Sequence, residues 1–231
     1  MTDANEIAER LAEVRERIAT AAKSSGRHAH AVRLVLASKT QPPAAIVAAY
    51  NAGARDFGEN YVQEAVAKRS ELGGYPDLRW HLIGNLQRNK VRIATATFDL
   101  IQTLDRISIA TALHRCRQKP LFAVLIQVNI GGEASKAGVA PSAAEGLIDE
   151  VRELVPIQGL MAVPPPSSNT AIARRWFAEL RELRNQLASK TGLELSDLSM
   201  GMSDDYEAAI AEGATIVRIG RAVFGARPSR H

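Results

Sequence analysis

The run ELSDLSMGMSDDYEAAIAEGATIVRIGRAVFG, residues 194–225, sets two short strand-like stretches on either side of a helical one. Glu194–Ser199 and Thr215–Ile219 read as strands, and Asp204–Glu212 between them reads as a helix. A strand, a helix and a second strand in so short a span form one βαβ unit, with parallel strands and a right-handed crossover. Both strands end in polar, glycine-bearing turns, Ser199-Met200-Gly201-Met202-Ser203 and Arg218-Ile219-Gly220-Arg221.

The same alternation extends back toward the N-terminus. Strand-like runs occupy Val32–Ser38, Ala54–Phe57, Arg79–Ile83, Leu100–Thr103, Phe122–Asn129 and Ile157–Ala162. Helical stretches follow them at Pro43–Asn51, Tyr61–Ser70, Leu86–Ala94, Arg106–Cys116, Ala143–Leu154 and Thr170–Ser189. Several of the strands are apolar almost throughout, as parallel strands covered on both faces must be. Eight strands, each followed by a helix except the last, predict an α/β protein closed into a (β/α)8 TIM barrel. An open doubly wound sheet is the alternative, because periodicity does not report closure. Ahead of the first strand, Ile7, Leu11, Val14 and Ile18 form one apolar helical stripe, with Glu6/Arg10 and Glu13/Arg17 spaced four apart on the other side. This extra helix, within residues 1–25, is expected to cap one end of the barrel. Nothing marks a linker, so residues 1–231 are expected to form one domain ending in a short basic tail, 226–231.

Composition sets the outer limits. The chain has 231 residues, 46% hydrophobic and 23% charged, which excludes a disordered or low-complexity protein. Aromatics are only 5%, so Ala, Val, Leu and Ile must build the core. Cys116 is the single cysteine, so no intrachain disulfide can form, which fits a reducing compartment. The net charge of +4 is scattered without a basic block, which argues against nucleic acid as partner. No apolar run approaches the roughly 18 residues of a membrane span, and the N-terminus does not read as a signal peptide. A cytoplasmic monomer is expected.

In a parallel barrel the carboxyl ends of the strands carry the chemistry. Lys39 ends the first strand on the face of Val35 and Ala37. Held among apolar strands, its amine would lose solvation and become able to attack a carbonyl; a solvated surface lysine is the plainer reading. Ser203 and the Gly220-Arg221 turn follow the seventh and eighth strands, where many such barrels bind phosphate. A capped helix and a glycine turn would explain them equally, and Asp204 and Asp205 would repel a dianion unless turned away. Arg218 shares a face with Gly220 and needs an acceptor, either a ligand or an acid such as Glu59 or Glu64. His28 and His30 lack a further ligand at metal-site spacing. No P-loop, dinucleotide fingerprint or nucleophile elbow is present.

Together these motifs form one pattern. Ala37-Ser38-Lys39-Thr40, Phe57-Gly58-Glu59-Asn60-Tyr61-Val62-Gln63-Glu64, Trp80-His81-Leu82-Ile83-Gly84-Asn85, Gly159-Leu160-Met161, Leu198–Asp204 and Val217–Gly225 resemble the pyridoxal phosphate homeostasis proteins, from Val32 to Gly225. The resemblance implies a barrel like the N-terminal domain of alanine racemase, with pyridoxal 5′-phosphate (PLP) bound covalently at Lys39 as a Schiff base. It implies phosphate contacts from Ser203, Gly220 and Arg221, an Arg218 contact to the pyridine nitrogen, and Asn60, His81 and Met200 around the ring. It places Lys136 in a mobile loop at the mouth. Many members have Thr where this chain has Arg221, so backbone N–H groups or the guanidinium must replace a hydroxyl there.

Arginine at the pyridine nitrogen leaves it unprotonated and weakens the cofactor as an electron sink. The sequence ends soon after the eighth strand, with no stretch expected to supply the racemase's second base. The implied role is a PLP carrier in vitamin B6 and amino-acid homeostasis, without dedicated catalysis, with apo PLP-dependent enzymes as recipients. A low-activity amino-acid racemase, and a class I aldolase-type barrel using Lys39 on a phosphosugar, are the competing readings.

Overall fold

Alternation along each strand sorts its side chains into two layers, and closure of the sheet decides which layer becomes the interior. The computed structural model describes residues 3–116, 122–167 and 169–225; the expected basic tail lies outside them. Along the chain, α1 (Ala4–Ser24) precedes β1 (Arg33–Ala37), α2 (Pro43–Asn51), β2 (Asp56–Glu59), α3 (Val62–Glu71) and β3 (Arg79–Leu82). Next come α4 (Val91–Thr97), β4 (Leu100–Leu104), α5 (Ile107–Cys116), β5 (Ala123–Val128), α6 (Ala144–Val151) and β6 (Ile157–Ala162). Then follow α7 (Thr170–Thr191), β7 (Asp197–Ser199), α8 (Tyr206–Ala211), β8 (Ile216–Ile219) and α9 (Arg221–Phe224).

The strands form a closed parallel barrel in sequence order, β8 returning to β1 from Arg33↔Ile216 through Leu36↔Ile219. Closure removes both sheet edges and excludes the open-sheet alternative. Leu36, Phe57, Trp80, Leu82, Ile101, Val124, Ile126, Leu160, Val217 and Ile219 face outward into the apolar layer under the helices. The interior holds a small apolar cluster of Val35, Leu100, Ala123, Leu125, Met161 and Ile216. The remaining inward positions are largely polar, and they make the site.

Several boundaries differ from the sequence reading. The seventh strand shortens to Asp197–Ser199, and just before it Arg184 Nη1 donates to the carbonyls of Leu195 and Ser196. The second strand moves to Asp56–Glu59. The helix expected from Leu86 starts only at Val91, after a 3-10 turn at Arg88–Lys90. The eighth strand is followed by a helix after all, the single turn α9.

The N-terminal helix does not cap a barrel end. It packs against α2, α8 and α9, in the outer ring beside the β8–β1 seam. The four-residue α9 is too short to cover that seam, and the stripe of Ile7, Leu11, Val14 and Ile18 closes it, each residue at most 5% exposed. Arg17 holds the contact at its edge, with hydrogen bonds of 3.0 and 3.2 Å to Glu207. The expected Glu6–Arg10 pair is formed, and Glu13 lies 4.0 Å from Arg17.

Leu11 is fully buried in this stripe. Leu11→Ala should lower unfolding stability by about 2–5 kcal/mol. Urea denaturation would show it as a lower midpoint at unchanged slope. A loss below about 1 kcal/mol would mean that α1 is not integral to the barrel.

Candidate functional site

Lys39 stands in the turn that leaves β1 at the carboxyl end of the barrel, half-buried. The turn is held by a cluster behind the strand. The Lys68 ammonium donates to the Ser38 carbonyl (2.7 Å), Glu59 Oε1 (2.7 Å) and Glu64 Oε1 (2.6 Å), using all three of its protons. Ser38 Oγ donates to Glu59 Oε1 at 2.7 Å, and the Thr40 N–H donates to Glu64 Oε1 at 2.5 Å. Thr40 has φ 66°, a left-handed conformation costly for a β-branched residue and sustained here by these bonds. Glu59 is wholly buried with Oε2 unpartnered, and burial pushes its carboxyl up despite Lys68 and Ser38. Glu59 and Glu64 therefore belong to Lys68 and not to Arg218, the pairing that sequence left open. The Glu64–Lys68 spacing of four residues was the signal available for this cluster.

Beside it, because β8 pairs with β1, the loops after β7 and β8 meet. Ser203 Oγ accepts the Ala222 N–H at 3.3 Å, so the hydroxyl bridges the two loops instead of capping a helix from Asp204. The helix there begins at Tyr206, preceded by Asp205, whose carboxylate accepts the Met202 N–H at 2.7 Å. Asp204 is paired with Arg221. Both carboxylates that would oppose an anion thus have partners of their own. Gly201, at φ 90°, would bring a Cβ to 2.6 Å from Ala209 Cβ, and one on Gly220 would stand 3.0 Å from the Ala37 carbonyl oxygen. The wall between β8 and β1 is therefore backbone at Gly220, where a side chain would crowd Ala37.

Beneath this cup lies a buried polar chain across the barrel. Arg218, 4% exposed, donates to Ser199 Oγ (2.5 Å) and to the Ala162 carbonyl (2.8 Å). Ser199 Oγ donates to Gln102 Oε1 at 2.6 Å. That orients the Gln102 amide nitrogen toward His81 Nδ1, 3.1 Å away. Nδ1 must then accept, leaving a neutral imidazole whose Nε2–H donates to Asp56 Oδ1 at 2.9 Å. Arg79 closes the chain with bonds of 2.8 and 2.6 Å to Asp56. Burial alone would raise the Asp56 carboxyl, but His81 and Arg79 outweigh it and hold it at about 2. Burial lowers the Arg218 guanidinium to about 10, so it remains charged at neutral pH.

The remaining expected site residues divide. Asn60, half-buried at the end of β2, has its Oδ1 buried without a partner. Lys136 lies in the loop after β5, in an ion pair of 2.6 Å with Glu133. Met200 and His81 are not brought to the mouth. Met200 is fully buried in the outer apolar layer, because Ser199 points inward and its neighbour must point outward. His81 sits at mid-barrel, and the opening it borders lies at the opposite end, with Arg33, Asp56 and Arg79. Gln102 and Ser199 are the residues sequence reasoning did not assign; Ser199 stood in a polar strand-end turn, and Gln102 is a polar residue near the end of the Leu100–Thr103 run.

This arrangement has close counterparts. Residues 8–228 match the family model for the alanine racemase N-terminal domain. A protein of Pseudomonas aeruginosa named pyridoxal phosphate homeostasis protein is 48% identical over 225 residues, covering 96% of each chain. The chain belongs to the pyridoxal phosphate homeostasis protein family. Another similar structure is PipY of Synechococcus elongatus PCC7942 with PLP bound, at 37% identity and TM-score 0.81, covering 95% of this chain and all of that one. Alanine racemase of Bacillus anthracis shares the fold at 15% identity and TM-score 0.71; this chain spans 57% of its length. Among the described residues, no helix is long and apolar enough to cross a membrane.

Because Asp56 is held below its usual value, its hydrogen bond from His81 and its ion pair with Arg79 stabilise the fold above about pH 4 and lose that contribution as pH falls toward 2. Asp56→Asn should flatten the fall in stability over this window by about 2 kcal/mol. Acid titrations of unfolding free energy for both proteins would measure it, and parallel curves would exclude the arrangement.

Proposed function

We propose that the chain holds PLP at the carboxyl end of the barrel as a reservoir and donor of the cofactor. The observation that carries this reading is the pairing of a lysine turn at β1 with a bridged, anion-compatible cup at β7–β8, over a buried guanidinium. The residues present fit the group. The unpartnered Asn60 Oδ1 offers an acceptor to the ring's substituents, and the side-chain-free wall at Gly220 admits close approach. Lys39 Nζ would hold the cofactor covalently. Ser203 and the first-turn N–H groups of α9, with Gly220 and Arg221 at its start, would hold the phosphate. Arg221 would act mainly through its backbone, since its guanidinium is engaged by Asp204.

Bound PLP would supply an aldehyde able to condense with amines. The chain's own groups favour holding over turnover. A guanidinium donates a hydrogen bond but has no lone pair to take a proton, so Arg218 would leave the ring nitrogen unprotonated. Racemisation needs proton acceptors on both faces of the ring. The imidazole inside the barrel, His81, is tied at both nitrogens and turned away from the mouth. We extend the name shared by the relatives to this chain on that basis: intracellular PLP homeostasis, with no dedicated reaction, by one barrel domain acting as a monomer.

Borohydride reduction of the PLP-loaded protein should fix a pyridoxyl group on Lys39, located by peptide mass mapping; label on Lys136 instead would displace the assignment. Ser203→Ala should weaken PLP binding roughly tenfold to a hundredfold, the value of one charge-assisted hydrogen bond. Pyridoxal lacking phosphate should bind equally weakly to both proteins. Loaded protein should restore activity to an apo PLP-dependent enzyme and leave L-alanine unracemised. Turnover of alanine at about 1 per second or faster would make the racemase reading correct.

A further inference from the structure

The opposite end of the barrel, where the strands begin, carries a second concave and strongly basic feature. A cleft of about 520 Å3 lies between α1 and the starts of β1, β2 and β3, with Arg15, Arg33, Arg55 and Arg79 around it. This is an ordinary size for a small-molecule site. Ile18, Val32 and Leu34 form the apolar part of its wall, beside His30 and the Asp56 carboxylate that Arg79 and His81 hold.

The four guanidiniums are not equally balanced. Arg79 is neutralised by Asp56, and Arg55 by Asp77 at 2.6 Å. Arg15 donates only to the Ala52 carbonyl, at 2.7 Å, and burial together with the Arg55 charge works against its protonated form. Arg33 has no side-chain hydrogen bond or ion pair among the described residues. The other nearby carboxylate, Asp99, borders the adjoining hollow and accepts the Trp80 N–H at 2.8 Å. Two positive charges therefore face a half-apolar cleft without a counter-charge. Gly53 makes room for one of them: at φ 89°, a Cβ there would come within 3.3 Å of Arg15 Nη1.

We propose that this cleft at the amino end of the barrel binds a phosphate monoester, with Arg33 and Arg15 gripping the phosphate and the apolar wall receiving its organic part. Two unmatched guanidiniums match a dianion better than a monocarboxylate, and their planar forks suit phosphate oxygens. The site is separate from the Lys39 mouth and does not depend on the function proposed for it.

Phenyl phosphate titrated calorimetrically into the PLP-loaded protein at low salt should bind, and phenol should not. Arg33→Gln and Arg15→Gln should each weaken binding at least tenfold, while Arg175→Gln, an exposed arginine of α7 paired with Glu179, should leave it unchanged. Both tested side chains are exposed, so thermal unfolding should show the variants folded. No binding to the parent protein would overturn the proposal. So would equal binding of phenol, or loss of binding on Ser203→Ala with the arginine variants unaffected, which would assign the heat to the mouth.

Discussion

A guanidinium sealed inside a closed barrel is the constraint on which this structure turns. Arg218 cannot shed its charge at neutral pH, and an unsatisfied buried cation costs several kcal/mol, so its donors must find acceptors within the interior. They find Ser199 and the Ala162 carbonyl, and Ser199 passes the polarity to Gln102, His81 and Asp56. Each member has its donor and acceptor roles set by the one before it, and the chain ends on an ion pair with Arg79 at the far rim. This explains why the apolar cluster inside the barrel is so small: the polar chain fills the positions that branched aliphatics occupy in most such barrels.

The chain also separates the two ends of the molecule. At the carboxyl end, two fixed backbone turns stand side by side at the mouth, on paired strands. The turn of Lys39 is set by the Lys68–Glu59–Glu64 cluster, and the β7–β8 cup by the Ser203–Ala222 bond and the two glycines. Both are positioned from behind by groups that need not touch a ligand, the usual condition for a site whose geometry survives binding and release. At the amino end, α1 serves two purposes. It covers the seam left by the one-turn α9, and it contributes Arg15 and Ile18 to the basic cleft.

The alternation of apolar runs and helical stretches was sufficient for eight parallel strands, because both periods are local properties of the chain. Strand-end position singled out Lys39, Ser203 and Arg218 as candidates for the same reason, and the resemblance added Asn60. His81 and Met200, which the resemblance grouped with the ring pocket, stand apart from the Lys39 mouth, because residues within a motif need not share a destination. The pleat sends Met200 outward next to an inward Ser199, and His81 lies one position before the end of β3, at the depth of the polar chain. Lys68 shows the reverse. By sequence it is one basic residue in an exposed-looking helix, yet it is 5% exposed beneath the Lys39 turn.

By itself, then, the sequence determined the number and order of the strands, the apolar stripe of α1 though not where it packs, and the residues at each strand's end, since these follow from periodicity and turn chemistry within a few residues. The tertiary structure alone decided which polar residues meet. The Ser199–Gln102 bond joins residues 97 apart in sequence, and the Arg218–Ala162 bond residues 56 apart. Only closure of the barrel, which fixes the depth of every inward position relative to every other, could bring them together.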